Sequence, residues 1–150
     1  MGVVMFYHLT ASGMEETARN LLTRSLQAGW RVMLRGTDVA RLQRLDGMLW
    51  QGPDDSFLPH GLDGGPHDAH QPVLLGTGAI GNDAQALMAV DGAAVAAEEA
   101  TGLERVFILF DGHDQEAVAA ARVQWKTLTG AGLAAQYWSE ESGRWEKKAG

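Results

Sequence analysis

The alternation of apolar and polar stretches along the chain lays out a series of strands and helices. Residues 3–9, VVMFYHL, form a short apolar run rich in strand formers and read as a buried strand. Thr10–Gly13 is turn chemistry, with Ser12 a candidate helix N-cap. From Met14 to Ala28 the apolar positions fall at 14, 18, 21, 22 and 26, a helical spacing that Gly29 ends. Trp30–Leu34 reads as a second strand. Thr37 or Asp38 caps a second helix whose stripe is Val39, Leu42, Leu45 and Leu49. Strand, helix, strand, helix is the opening of a parallel α/β sheet with right-handed crossovers.

The second half is less regular. Residues 51–71 carry three Pro, four Gly and three His and read as a long loop. Pro72–Gly76 is a third strand. Residues 84–90, AQALMAV, fit helix or strand, with helix the preferred reading. Ala93–Leu103 is alanine-rich and helical, ending near Gly102. Arg105–Phe110 is nearly continuous apolar, hence a strand buried on both faces. Asp114–Thr129 reads as a helix stopped by Gly130, Ala134–Trp138 as a last strand, and 142–150 as a polar tail broken only by Trp145. The expectation is one α/β domain with a mostly parallel sheet.

Composition narrows the options. A chain of 150 residues buries roughly 70% of its unfolded surface and can hold a core without staples. It has no cysteine, which excludes disulfides and thiolate metal sites. No apolar run approaches the roughly 20 residues a membrane span needs, and no secretory leader is expected. The net charge of −7 is uneven. Residues 1–50 carry six Arg against four acids, 51–116 twelve acids against Arg105 alone, and 117–150 five bases against three acids. Such a chain should not coat DNA by bulk electrostatics, although a local basic patch could still hold an acidic peptide.

Four features could carry chemistry. GTGAIG, residues 76–81, spells the dinucleotide fingerprint, with Glu98 or Glu99 near the spacing of its ribose-binding acid. It follows the third strand rather than the first, and NDAQALMAV is a poor start for a crossover helix. A small nucleotide-binding enzyme using Gly76–Gly81 and Asp111 is therefore the runner-up reading. His60, His67 and His70, with Asp63 and Asp68, could bind a metal only if ordered, and Gly64, Gly65 and Pro66 oppose a helix there. Asp111-Gly112-His113-Asp114 follows a strand end, where α/β enzymes place catalytic groups, but equally supplies the turn and N-cap a helix near 115 needs. On the last helix Val118, Ala121, Trp125 and Leu128 make a core stripe, with Arg122 and Lys126 four apart beside it. Two cations flanking an apolar groove suit a peptide that ends in an apolar residue and a free carboxylate. No catalytic residue, metal ligand or cofactor site is assigned.

One block is more specific. "LQRLDGMLWQGPDDSFLPHGL" resembles the signature of the chi subunit family of bacterial DNA polymerase III, in which an acidic residue and Leu-Trp end the second helix and Ser-Phe-Leu/Val-Pro-His follows a proline. "MFYHL", "GWRVML", "PVLLG" and "ARVQWKTLTGAGL" resemble that family's strands and last helix in the same order. The resemblance implies a Rossmann-like three-layer fold without a nucleotide, a connecting role for GTGAIG, and a strand rather than a helix at 85–90. It implies a cytoplasmic, non-catalytic replisome subunit that meets DNA only indirectly and has no membrane partner. Such a subunit links the clamp loader to single-stranded-DNA-binding protein. Arg122, Trp125 and Lys126 would take that protein's acidic C-terminal tail. Val118 stands where related proteins have a further basic residue. Trp50, Phe57, Pro59 and His60 would face the psi subunit or another clamp-loader component. Trp50 and Phe57, large aromatics in a polar, turn-rich rim, are expected to complete their burial in that partner.

Overall fold

The computed structural model describes residues 2–50 and 59–150, apart from the side chain of Trp50. Among them are eight strands and four α-helices: β1 Val3–Leu9, α1 Met14–Gln27, β2 Val32–Arg35, α2 Val39–Trp50, β3 His60–Leu62, β4 Val73–Gly76, β5 Ala86–Ala89, α3 Ala97–Thr101, β6 Arg105–Asp111, α4 Gln115–Gly130, β7 Ala134–Ser139 and β8 Glu146–Ala149. The strands form one sheet in the order β3-β4-β2-β5-β6-β1-β7-β8. Every pairing is parallel except β7 with β8.

Two apolar layers sandwich this sheet, giving the expected three-layer fold. Alternate side chains of each strand point to opposite faces. On one face Met5, Leu34, Leu75, Met88 and Leu109 meet Ala18, Leu21 and Leu22 of α1 and Leu42, Leu45 and Leu49 of α2. On the other, Phe6, Met33, Leu87, Val106 and Ile108 meet Ala100 of α3 and Ala121 and Leu128 of α4. The stripe expected on α2 holds at Leu42, Leu45 and Leu49, but Val39 at its first turn is 59% exposed. Asp38 caps that helix, accepting the Ala40 N–H at 2.9 Å. Gly29, just beyond α1, has φ 86°, a left-handed backbone that glycine adopts at little cost.

The structure departs from the pattern in five places. Residues 86–89 form a fully buried central strand, β5, between β2 and β6. A short apolar run buried on both faces has no period to separate it from a helix. The alanine-rich helix is cut to Ala97–Thr101 because Arg35 takes the Ala94 carbonyl at 3.0 Å, which a longer helix would have given to residue 98. Ser12 does not cap α1. Gly13 holds the N-cap position, and the Ser12 hydroxyl donates instead to Glu140 Oε1 at 2.8 Å. Within 51–71, His60–Leu62 forms the edge strand β3 beside β4, and Asp68–His70 a 3₁₀ turn. The polar tail supplies β8, antiparallel to β7, and its Trp145 ring packs edge-on against Tyr7 with centroids 5.5 Å apart.

Candidate functional site

The nucleotide crevice of an open parallel sheet lies beyond the carboxyl ends of its strands. Here it is a cavity of about 710 Å³ above β1 and β6, and Glu15, Asp91, Asp111, Asp114 and Glu116 line it. Its one arginine, Arg41, is held by Glu15 and Asp91, each at 3.2 Å. Carboxylates that neutralise the local cation repel a phosphate rather than attract one. The rest of the crevice consists of caps and turns. Asp114 accepts the N–H of Glu116 at 3.0 Å and caps α4. Asp111 accepts the His113 N–H at 2.9 Å, and His113 Nε2 donates to the Thr10 carbonyl at 2.6 Å. Gly112 lies so close to His8 that a Cβ there would fall 2.0 Å from the imidazole.

The glycine motif does not behave as a fingerprint. Residues 77–85 run from β4 to β5 without a helix, so no helix N-terminus faces the loop. Buried Arg35 donates to the Gly78 carbonyl at 2.9 Å and grips Glu99 through two hydrogen bonds of 2.6 and 3.0 Å. Glu99 also accepts the Ala96 N–H at 3.0 Å. The arginine hydrogen bond, more than any other influence, holds the Glu99 carboxyl below its ordinary range. The acid at ribose-binding spacing is thus committed to Arg35. Asn82, fully buried, ties the end of the same loop to the carbonyls of Val32 and Gln71 at 3.1 and 2.9 Å.

Glu140 locks the β1–α1 turn. Its carboxylate accepts the N–H groups of Thr10, Ala11 and Ser12 at 3.0, 3.1 and 2.9 Å as well as the Ser12 hydroxyl. Burial pushes this carboxyl up, but the four hydrogen bonds outweigh it and hold it below the usual carboxylate range. The loop histidines do not converge. Asp68 accepts the N–H groups of Gly64 and Gly65 at 2.8 and 3.0 Å, closing a turn. Among the described residues no three His, Asp or Glu side chains are placed to share a metal ion.

The α4 flank has a different character. Arg122 and Lys126, one helical turn apart, are exposed, and among the described residues neither has a carboxylate within ion-pair distance. Trp125 is half-buried beside them, edge-on to Phe6 at 5.3 Å and to Tyr137 of β7 at 6.0 Å between centroids. Burial pushes the Tyr137 phenol up, while nearby Arg122 draws it down and Glu141 adds to the rise. The structure therefore brings Arg122, Trp125 and Lys126 together on one face. Val118, one turn earlier, is partly buried against the core, and Val123, next to Arg122, is 64% exposed.

The other expected surface is partly described. Trp50 is the last residue of α2, its side chain outside the described residues, as is the whole of Phe57. Pro59 is exposed. His60 is not: its side chain is fully buried, and Nε2 donates to the Asp46 carbonyl at 3.1 Å beside the Asp46 carboxylate at 3.2 Å. That contact fastens edge strand β3 to α2. No described helix is long and apolar enough to cross a membrane.

One feature has no counterpart in the sequence patterns. A cavity of about 630 Å³ opens between α1 and strands β1, β6 and β7, and it gathers Trp30, Trp138 and Trp145 with Arg24 and Arg105. These three are among five tryptophans scattered over the chain, and only the fold shows that they share a wall.

Comparison with known proteins agrees with this architecture. The curated relative "DNA polymerase III subunit chi" of Pseudomonas aeruginosa is 36% identical over 63 residues, 42% of this chain and 43% of that protein. The matched stretch thus spans less than half the length of that relative. The family described as "DNA polymerase III chi subunit, HolC" matches residues 1–136. With nearly the whole three-layer sheet inside that match, the chain belongs to the DNA polymerase III chi subunit family.

Proposed function

We propose that this chain is a non-catalytic adaptor of the replicative polymerase, joining the clamp-loader side of the assembly to the acidic C-terminal tail of single-stranded-DNA-binding protein. The carrying observation is the pair of exposed cations, Arg122 and Lys126, without a carboxylate partner among the described residues and set beside half-buried Trp125. A guanidinium and an ammonium take carboxylates of the tail, and the ring gives its last apolar side chain a surface. Because an uncharged valine, Val118, stands one turn before Arg122, the grip here rests on two cations rather than three. The clamp-loader side is the end of α2, residues 51–58, Pro59 and edge strand β3. Trp50 and Phe57 are its anchors, and His60 is a positioning residue that fastens β3 to α2.

The test is a fluorescence titration of the full chain with a labelled tail peptide. Micromolar affinity corresponds to about −8 kcal/mol. Arg122→Glu or Lys126→Glu should weaken binding at least 10-fold, and added salt should weaken it further. A peptide lacking its terminal apolar residue should bind markedly less well. Equal binding of both peptides, or charge reversal without effect, overturns the tail site.

A further inference from the structure

The cavity under α1 is built unlike the crevice. Its floor is Tyr7 of β1, Arg105 and Phe107 of β6 and Trp138 of β7. Trp30 closes one end, with the Arg105 guanidinium 5.5 Å from its ring centroid. Trp145 closes another, edge-on to Tyr7. Trp138 Nε1 is already satisfied by Gln136 Oε1 at 3.1 Å, which fixes its ring.

Among the described residues the charge lining this cavity is net positive. Arg24 and Arg105 line it, against the single acid Glu16. Among the described residues neither arginine has a carboxylate within ion-pair distance, and the buried Arg105 Nε has no hydrogen-bond partner. A buried donor without an acceptor is costly unless something fills the gap. Tyr7 lines the same cavity as both arginines. Burial pushes that phenol up, and Arg105 and Arg24 draw it back. The two cations thus share one cavity with aromatic side chains around them.

We infer that this cavity holds one nucleotide unit, a planar base among Trp30, Tyr7 and Trp145 with its phosphate on Arg24 and Arg105. The volume lies within the range of small-ligand pockets. Rings supply stacking, and the two guanidinium groups suit a phosphate. The unit is either a free mononucleotide or one residue of a single strand. The net charge of −7 opposes a long polynucleotide track and confines the contact to this pocket. The site is on the opposite face of the sheet from α4, so it stands or falls independently of the tail site.

Calorimetric titration of the full chain tests this with dTMP, thymidine, inorganic phosphate and an eight-residue oligo(dT). The expected result is binding of dTMP, of the oligonucleotide, or of both, with thymidine and phosphate each at least 10-fold weaker than the better of the two. Tighter binding of dTMP identifies a free nucleotide as the source, and tighter binding of the oligonucleotide a single strand. Arg24→Gln, at an exposed helix position where glutamine keeps good helix propensity, should weaken binding at least 5-fold, and Trp30→Leu at least 10-fold. Arg122→Glu should leave it unchanged. No binding of either probe at millimolar concentration overturns the proposal. So does binding unaffected by Arg24→Gln and Trp30→Leu, or a tail peptide that displaces dTMP and loses affinity with Arg24→Gln but not with Arg122→Glu.

Discussion

The carboxyl-end crevice and the two cationic surfaces use the same residue types to opposite ends. At the crevice and the adjoining glycine loop, Arg35 is spent on Glu99, Gly78 and Ala94, and Arg41 on Glu15 and Asp91. Glu140 is spent on four donors of the β1–α1 turn. On the α4 flank and in the cavity under α1, Arg122, Lys126, Arg24 and Arg105 have no carboxylate within reach among the described residues. The carboxyl-end crevice is scaffold here, and the cations without carboxylate partners among the described residues lie to its sides. A cation already satisfied inside the molecule has little left for a partner, whereas one held out unpaired gains from every carboxylate or phosphate that arrives.

This contrast is broken most severely at Arg35. Replacement by Met leaves partly buried Glu99 without its partner and strips a donor from two loop carbonyls. Losing one member of a buried pair costs about 3 kcal/mol or more. For a chain of 150 residues this lowers the melting temperature by roughly 6–12 °C. Adding Glu99→Leu should recover part of the loss, since removing both charges spares the uncompensated one. Calorimetry of the single and double variants checks both statements. An Arg35→Met protein as stable as the parent would return Arg35 to the pool of spare cations.

The spent residues were the harder ones to read from the sequence. GTGAIG and Glu99 match a dinucleotide motif by spacing, yet the decisive fact, Arg35 reaching 64 positions ahead to Glu99, is a tertiary contact with no local signature. The periodicity left the short central strand β5 ambiguous, and only the family resemblance put a strand at 85–90; edge strand β3 escaped, because runs of three or four residues carry too little periodicity to compete with composition. Long amphipathic elements were legible: α1, α4 and the stripe Leu42, Leu45, Leu49 announce their buried faces. The α4 flank was legible too, because Arg122, Trp125 and Lys126 lie within five consecutive residues. The cavity under α1 was not, since its walls come from α1, the connections on either side of it, strands β1, β6 and β7, and the β7–β8 turn.

The next largest effect is at Glu140. At neutral pH, Glu140→Gln should cost about 2 kcal/mol, the difference between charge-assisted and neutral hydrogen bonds to the 10–12 turn. The carboxyl is held below its ordinary value in the folded protein. Its stabilisation is therefore present above the unfolded value near 4.3 and is lost as pH falls through the folded one. Denaturation midpoints should show parent and variant furthest apart above about pH 5 and converging below pH 4. A gap that does not change with pH would mean that the carboxylate's charge plays no part in holding the turn.

The smallest effect sharpens the contrast most. Arg122→Gln with Lys126→Gln removes two cations that touch no carboxylate of the described residues, both on the exposed side of α4. Surface substitutions of this kind usually change stability by no more than about 0.5 kcal/mol. Neutral glutamine keeps good helix propensity, so α4 itself should not suffer. Urea denaturation should therefore give the same midpoint and slope as the parent within error. The same protein should lose most of its affinity for the tail peptide. A stability loss approaching that of Arg35→Met would show that these cations are structural after all, and any loss of tail affinity would then report a damaged helix rather than a missing contact.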